Sequence, residues 1–547
     1  MGKTLILGNN KESYWINQLP SVPIREVPEF SINKSLDISN FLLSLPKDVD
    51  CLIIDAESLN NANPELPLDL ILQIRLMLHD CRHSALANII LVSNFGVDAF
   101  RGYGPKSMVL MTENISIITP DEVGMALENS TPMTPAEYVE GFVKLIKIAP
   151  NEKIEGRHSI ANEWGANVLA NVISGEIKAE TISVKASSSL YFKYSSIASL
   201  DASDVKDIVE GYNRESITSK LKISENVNAL LIDDEAAKGW ATVLSDMMPN
   251  AAFDVWDKRV EKFEDISEEY KQNIKQGIYD LIFLDLRMNG VEEEGIKNPQ
   301  NFSGMQILKA IKNINEGIQV IMLTATNKAW NVSALLEAGA NGYYMKESPE
   351  YHFSFNYSKQ NALSLKTTIE RCLENAYLQD IISSIKALEL PSGSGLTEDI
   401  ENQLNIAKSL ILKANSNSDI AFAYIALEQI FEIATANLIR PITKNNCVEF
   451  YFTEDTEDRC KFYESHRPNG YLVSKVGEQY PAQWQRVAAI YYQLWNGSDP
   501  GFASKAREAI RLRNCYIHPK GNKKPLISSD EYMALFALMI EFLSLFK

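Results

Sequence analysis

The chain has 547 residues, room for three or four domains at about 100–200 residues each. Lys+Arg number 53 and Asp+Glu 71, a net charge of −18, which excludes a protein that coats nucleic acid non-specifically but allows one basic site on one domain. With 45% hydrophobic and 23% charged residues the chain can bury several cores.

The opening run MGKTLILGNNKE is too short and too soon polar for a signal peptide. Residues 1–125 alternate apolar runs of strand length (TLILG, CLIID, NIILV, ISIIT) with helical patterns such as Leu68–His79. That alternation predicts an α/β fold, a doubly wound parallel sheet covered on both faces. Residues 126–225 read as a connecting region of unknown fold. Ala136–Ala149 and Ser159–Ile173 have helical spacing, and Ile182–Tyr194 has some strand character. The stretch GRHSIANEWGANVLANVISGE is distinctive but points to no mechanism. Its His158 and Glu163 are five positions apart, which does not stack them on one helix face, and with Trp164 they read as structural. Residues 226–350 repeat the β/α alternation with strand candidates NALLID, YDLIFLD, QVIMLT and NGYYMK. Residues 351–390 form a helical extension that includes the long run Leu363–Leu388. The segment PSGSG, Pro391–Gly395, reads as a linker and as the clearest domain boundary. Residues 396–547 change to a helical period, with helices predicted at Ile400–Lys413, Asp419–Ile439, Ala482–Trp495, Ser504–Tyr516 and Ser529–Phe546. Ser418 or Asp419 would cap the second of these and Ser528–Asp530 the last, in an all-α domain.

Six cysteines without CxxC pairing (51, 81, 372, 447, 460, 515) suggest reduced thiols. No apolar run approaches the ~20 residues of a membrane helix, and Tyr532–Phe546 is interrupted by Glu541. A soluble, cytoplasmic protein without a membrane partner is expected.

In residues 226–350 the strand candidates end in Asp233–Asp234, Asp285, Thr324 and Lys346. In a doubly wound sheet these ends share one edge, so carboxylates, a hydroxyl and an ammonium converge there. Clustered carboxylates suit Mg²⁺, and a lysine can neutralise a phosphoryl oxygen. The runs LLIDDE, LIFLDLRM, SGMQIL, VIMLTAT and AGANGYYMK, over about 228–348, resemble the receiver domains of two-component response regulators. The resemblance implies that Asp285 is the phosphoacceptor, served by a histidine kinase or phosphotransfer protein. It implies that Asp233, Asp234, Asp285 and the backbone carbonyl of Arg287 hold Mg²⁺. Thr324 and Lys346 would contact the phosphoryl group, and Tyr343 would be the aromatic that changes rotamer. Two departures stand out: an insertion, NGVEEEGIKNPQNF, that adds Glu292, Glu293 and Glu294, and Glu347 where the family has proline after the lysine.

Residues 1–125 share this layout, with Asp55 closing LIID and Ser93 following NIILV. Gly8, Asn9 and Asn10 stand where an acidic pair should be, and no lysine follows ISIIT. A degenerate receiver-like domain that binds a partner or a second copy is expected.

The last domain gathers Lys505, Arg507, Arg511, Arg513, Lys520, Lys523 and Lys524 around RNCYIHP. Pro519 disfavours helix at His518, placing it at or just past a helix end. Arginine can grip a phosphate through a bidentate fork and histidine can move a proton, so the pair could cleave RNA without metal. Arg513, Asn514 and His518 resemble the signature of the HEPN family of helical domains, many of them ribonucleases. AFAYIALEQIFEIATANLIR resembles that family's earlier long helix, whose Glu428 is a candidate partner for Arg513. The resemblance implies a homodimer and RNA as a partner of this domain. The expected function is a response-regulator-like signalling protein controlling a HEPN-like output domain, a metal-independent ribonuclease in defence or stress. The alternative is a non-catalytic phosphorelay adaptor or phosphate sink. No convincing helix-turn-helix follows PSGSG, which disfavours a DNA-binding regulator.

Overall fold

A computed structural model describes residues 3–9, 14–30, 34–60, 64–149, 156–174, 190–210, 221–288, 298–325, 329–348, 353, 355–444, 447–453, 460–463, 472–473, 481–519 and 525–546. The chain forms two compact units, one of Met1–Asn313 with Gln319–Glu374, the other of Ile314–Ile318 with Asn375–Lys547.

The first unit holds two five-stranded parallel sheets. One is built from β1 (Thr4–Leu7), β2 (Ile24–Arg25), β3 (Cys51–Asp55), β4 (Asn88–Val92) and β5 (Ile115–Ile118), in the order β2-β1-β3-β4-β5. The other is built from β6 (Asn228–Ile232), β7 (Ala252–Trp256), β8 (Leu281–Asp285), β9 (Val320–Thr324) and β10 (Gly342–Met345), in the order β7-β6-β8-β9-β10. The two sheets thus share one strand order. Their central strands, CLIID, NIILV, LIFLD and VIMLT, are buried along their whole length, as expected of strands covered on both faces. The sequence reading lacked β2 and β7. Each is a sheet edge: β2 has two residues, and in AFDVW only Trp256 is buried.

Helices Trp240–Met247, Glu268–Lys275, Ser303–Ile314, Ala329–Glu337 and Phe355–Glu374 accompany the second sheet. The last corrects the boundary drawn at 350. Its Ala362, Leu365, Ile369 and Cys372 belong to the same core as Ala229, Leu231, Phe283 and Leu323. The run Leu363–Leu388 is two helices, Phe355–Glu374 and Leu378–Ala387.

Residues 126–225, read as a connecting region of unknown fold, contribute to both cores where they are described. Tyr138, Val139, Phe142, Ile197, Val205 and Ile208 join the core of the first sheet. Helix Gly156–Ser174 sends Trp164, Ala166, Leu169, Ala170 and Ile173 into the core of the second. The expected strand at Ile182–Tyr194 is helical where it is described, over Leu190–Ala198. This helix packs Phe192 into the core of the second sheet and Ile197 into that of the first, so tertiary packing overrides the local strand character.

The second unit contains helices Leu378–Ala387, Gly395–Leu412, Asn417–Leu438, Gln483–Ala489, Phe502–Ile517 and Ser529–Ser544. The all-α expectation is corrected by two antiparallel ribbons, Ile439–Lys444 with Cys447–Phe452 and Phe462–Tyr463 with Leu472–Val473. Phe450, Phe452 and Phe462 from these ribbons enter the helical core. Pro391–Gly395 is no boundary between the units. Leu378, Ile381, Leu388 and Leu390 before it pack on the same core as the helices after it, and Ser394 caps the next helix by accepting from the Thr397 amide. The second long helix is capped by Ser416, not by Ser418 or Asp419, and the last by Ser528. Among the described residues no helix is long and apolar enough to cross a membrane. Cys51, Cys81, Cys372, Cys460 and Cys515 are unpaired.

Candidate functional site

Because β6, β8, β9 and β10 run parallel, their carboxyl ends lie along one edge. Asp233 and Asp234 follow β6, Asp285 closes β8, Thr324 closes β9 and Lys346 follows β10. Asp233, Asp285, Thr324 and Lys346 are buried. The Lys346 ammonium donates to Asp285 Oδ1 at 2.6 Å and to Asp233 Oδ2 at 2.8 Å. The backbone amide of Lys346 donates to the Thr324 carbonyl at 2.7 Å, tying the lysine to β9. Asp285 Oδ2 accepts from the Arg287 amide at 2.9 Å, and Asp233 Oδ1 from the Glu235 amide at 2.8 Å. Helix Ser303–Ile314 starts hard against this edge. A Cβ on Gly304 would lie 2.1 Å from the Asp285 carbonyl oxygen, so only glycine lets the helix approach.

Oxygens of Asp233, Asp234 and Asp285 lie within 4.8 Å of one another, the one cluster of this kind among the described residues. Asp234 Oδ1 is buried without a hydrogen-bond partner. Burial, then the charges of Asp285 and Asp233, push the Asp234 carboxyl up to about 8. Burial opposes the charge of Lys346, but Asp233 and Asp285 outweigh it and hold the ammonium above the ordinary lysine range. One buried ammonium, with the exposed Arg259 guanidinium 3.8 Å from Asp234 Oδ2, leaves the three carboxylates under-compensated, and an all-oxygen donor set with an orphaned oxygen fits a hard divalent cation.

The other residues expected here are placed as follows. Tyr343 lies on β10 but is 42% exposed, while its neighbour Tyr344 is buried against Trp240. The Arg287 guanidinium lies over the Phe302 ring at 4.7 Å. Glu292, Glu293 and Glu294 lie outside the described residues. Glu347, standing where the family has proline, is buried and accepts from Ser358 at 2.6 Å and Asn361 at 3.2 Å.

Sequence reasoning missed the side of the pocket formed by helix Gly156–Ser174. Asn162 is fully buried, and its Oδ1 accepts from the Lys346 ammonium. Trp240 puts its ring 5.0 Å from the same ammonium and donates from Nε1 to the Asn162 carbonyl at 3.1 Å. Of the residues read as structural in this segment, Trp164 is buried and stacks on Phe192. The His158 side chain lies outside the described residues.

The matching edge of the first sheet is built differently. Asp55 is buried; its Oδ1 accepts from the Ser58 amide at 3.5 Å and its Oδ2 has no partner. Gly8 is packed so closely that a Cβ there would meet Asp55 Cβ at 2.9 Å. Asn9 accepts from the Val27 amide, a structural bond, and Asn10 lies outside the described residues. Ser93 donates to Glu57 at 3.0 Å. Burial raises the Asp55 carboxyl above its ordinary range.

In the helical unit, Arg513 Nε donates to Glu428 Oε2 at 2.8 Å, and Nη2 donates to Gln483 Oε1 at 3.1 Å and to Glu432. Glu428 is buried and also accepts from Gln483 Nε2 at 2.8 Å. Asn514 and His518 are exposed, and His518 sits just past the helix end, its amide donating to the Asn514 carbonyl at 2.8 Å. Lys520, Lys523 and Lys524 lie outside the described residues.

Residues 230–353 match the response regulator receiver domain family, and this part of the chain is a receiver domain. The nitrate/nitrite response regulator protein NarP of Escherichia coli (strain K12) is 30% identical over 164 residues, which are 30% of this chain and 66% of NarP. A CheY-like response regulator receiver domain protein from Methanospirillum hungatei JF-1 is 19% identical, with a TM-score of 0.17, over 26% of this chain and 98% of its own. NtrX from Brucella abortus, solved with ATP, is 20% identical, with a TM-score of 0.21, over 33% of this chain and 34% of its own. The chain therefore spans less than two thirds of NarP and about a third of NtrX.

Proposed function

We propose that the chain is a response-regulator signalling protein whose Asp285 accepts a phosphoryl group from a histidine kinase or phosphotransfer protein. One observation carries this reading: Asp233, Asp234, Asp285, Thr324 and Lys346 converge on one strand edge, with Lys346 bonded to both Asp233 and Asp285. An Asp285 carboxylate oxygen attacks phosphorus, the P–N bond of phosphohistidine breaks, and the imidazole leaves with its electron pair. Phosphoryl transfer needs chiefly positioning and neutralisation of charge. Lys346 supplies a fixed positive charge, the Arg287 amide orients Asp285, and the Thr324 hydroxyl is a donor for the transferred group. Asp233, Asp234 and Asp285, with the Arg287 carbonyl, would hold Mg²⁺, which supplies further neutralisation of the phosphoryl oxygens.

The output is proposed to lie in the helical unit, as a HEPN-like, metal-independent ribonuclease using Arg513, Asn514 and His518, in a homodimer. A second reading is favoured by one feature: Arg513 is held by Glu428, Glu432 and Gln483 instead of being presented to solvent. In this reading the chain is a non-catalytic phosphorelay adaptor or phosphate sink. One experiment addresses both levels. Wild type, Asp285→Asn and His518→Ala are incubated with Mg²⁺ and radiolabelled acetyl phosphate, and separately with total RNA plus EDTA after phosphorylation. Labelling lost in Asp285→Asn supports the phosphoacceptor reading, and labelling retained there removes it. RNA cutting that survives EDTA and disappears in His518→Ala supports the ribonuclease; no cutting in either phosphorylation state leaves the adaptor.

A further inference from the structure

Lys346 has three ammonium protons and three acceptors: Asp285 Oδ1, Asp233 Oδ2 and Asn162 Oδ1. Two acceptors belong to the receiver domain. The third comes from helix Gly156–Ser174, outside the matched residues 230–353. We infer that Asn162 is a positioning residue for phosphoryl transfer at Asp285, so that helix Gly156–Ser174 is part of the phosphorylation site. The inference rests on the phosphoacceptor reading and adds to it the element that orients its lysine.

The geometry leaves Asn162 little freedom to do otherwise. Its amide nitrogen donates to Glu235, next but one to Asp233, so the oxygen must face Lys346. Its carbonyl is fixed by the Trp240 indole. One turn earlier, Ser159 accepts from Lys238, which is itself paired with Glu235 at 2.8 Å. Three positions later, a Cβ on Gly165 would lie 3.0 Å from Trp240 Cζ2 and 3.2 Å from the Glu347 backbone, so the helix approaches the lysine loop at van der Waals range. Trp164, Leu169 and Ile173 then anchor the helix in the receiver core. The amide is therefore aimed from a rigid element. An ammonium on a flexible stem has three equivalent protons and no preferred direction. With one proton held by Asn162, the other two point at Asp233 and Asp285. When a phosphoryl group is transferred, those are the protons that can meet its oxygens. A neutral amide does this without adding negative charge to an already acidic pocket.

The test uses the full chain with Mg²⁺ and acetyl phosphate. The rate of Asp285 labelling, the thermal midpoint and the ¹⁵N-lysine ammonium resonance of Lys346 are measured for wild type and Asn162→Ala. Asn162→Ser, whose hydroxyl is too short to reach Lys346, is the second variant should alanine prevent folding. The expected result is labelling slower by about tenfold, the scale of one lost hydrogen bond to a charged group. The slow-exchanging Lys346 ammonium signal should disappear while the remaining spectrum stays folded. A folded variant labelled within about twofold of wild type, or one that keeps the ammonium signal, overturns the inference. If wild type itself is not labelled at Asp285, the phosphoacceptor reading falls first and the role of Asn162 with it.

Discussion

Asp55 and Asp285 both close the third strand of a five-stranded parallel sheet, and both are buried. Their surroundings separate them. Asp285 has an ammonium at 2.6 Å, whereas Asp55 has the Ser58 amide at 3.5 Å and an orphaned oxygen. Burial raises the Asp55 carboxyl, so the folded protein binds a proton that the unfolded chain releases above about pH 4. The stability this group contributes is present at low pH and is lost as pH rises through its folded-state value. Asp55→Asn removes the charge without changing the shape. Its thermal midpoint is expected to match wild type below about pH 4 and to exceed it by a few degrees at pH 7–8, a difference that melting curves across that range would show. An equal midpoint at pH 8 would mean that Asp55 finds a partner for its charge.

At the scale of elements, the carboxylate edge of the second sheet was legible because its residues terminate short apolar runs: Asp285 after LIFL, Thr324 after VIML. A strand buried on both faces has few other sequences, and its end marks the site. The edge strand β7 was not legible, since AFDVW is buried only at Trp256 and carries a charge. Asn162 was not legible for a different reason. Its function depends on Lys346, 184 positions away, and nothing within GRHSIANEWGANVL encodes that contact. The boundary at Pro391–Gly395 was misjudged because a Pro/Ser/Gly run describes local chain stiffness, not which core its flanks enter. Helix Leu378–Ala387 enters the helical core through Ile381, which is fully buried. Ile381→Ala should therefore destabilise the helical unit by roughly 2–5 kcal/mol, measured by urea denaturation followed by circular dichroism. A change below about 0.5 kcal/mol, the range of surface substitutions, would show that this helix is peripheral.

At the scale of the molecule, the receiver is larger than the segment that matches its family. The core of the second sheet takes Trp164, Leu169, Ile173 and Phe192 from one side of the chain and Leu365 and Ile369 from the other. A fragment cut at 226–350 would expose the apolar faces that these residues cover, including the surface around Trp240. A fragment of 156–374 keeps them. The longer fragment is expected to melt cooperatively and remain monodisperse in gel filtration, and the shorter to aggregate or to lack a cooperative transition. A shorter fragment that melts as sharply as the longer one would mean that the added helices lie on a finished core.

The buried seat of helix Gly156–Ser174 also bears on how such a chain can change over generations. Signalling modules are commonly exchanged as whole segments joined at their edges, and a seam near residue 226 would be the natural place to cut. Here a cut at that point, though the chain is exposed there, would divide one core between its two sides. A receiver spliced in at that point would bring no groove shaped for this helix, and one spliced out would leave a lysine missing its third acceptor. A splice that kept both the core and the third acceptor would have to carry the segment from residue 156 onwards together with the receiver.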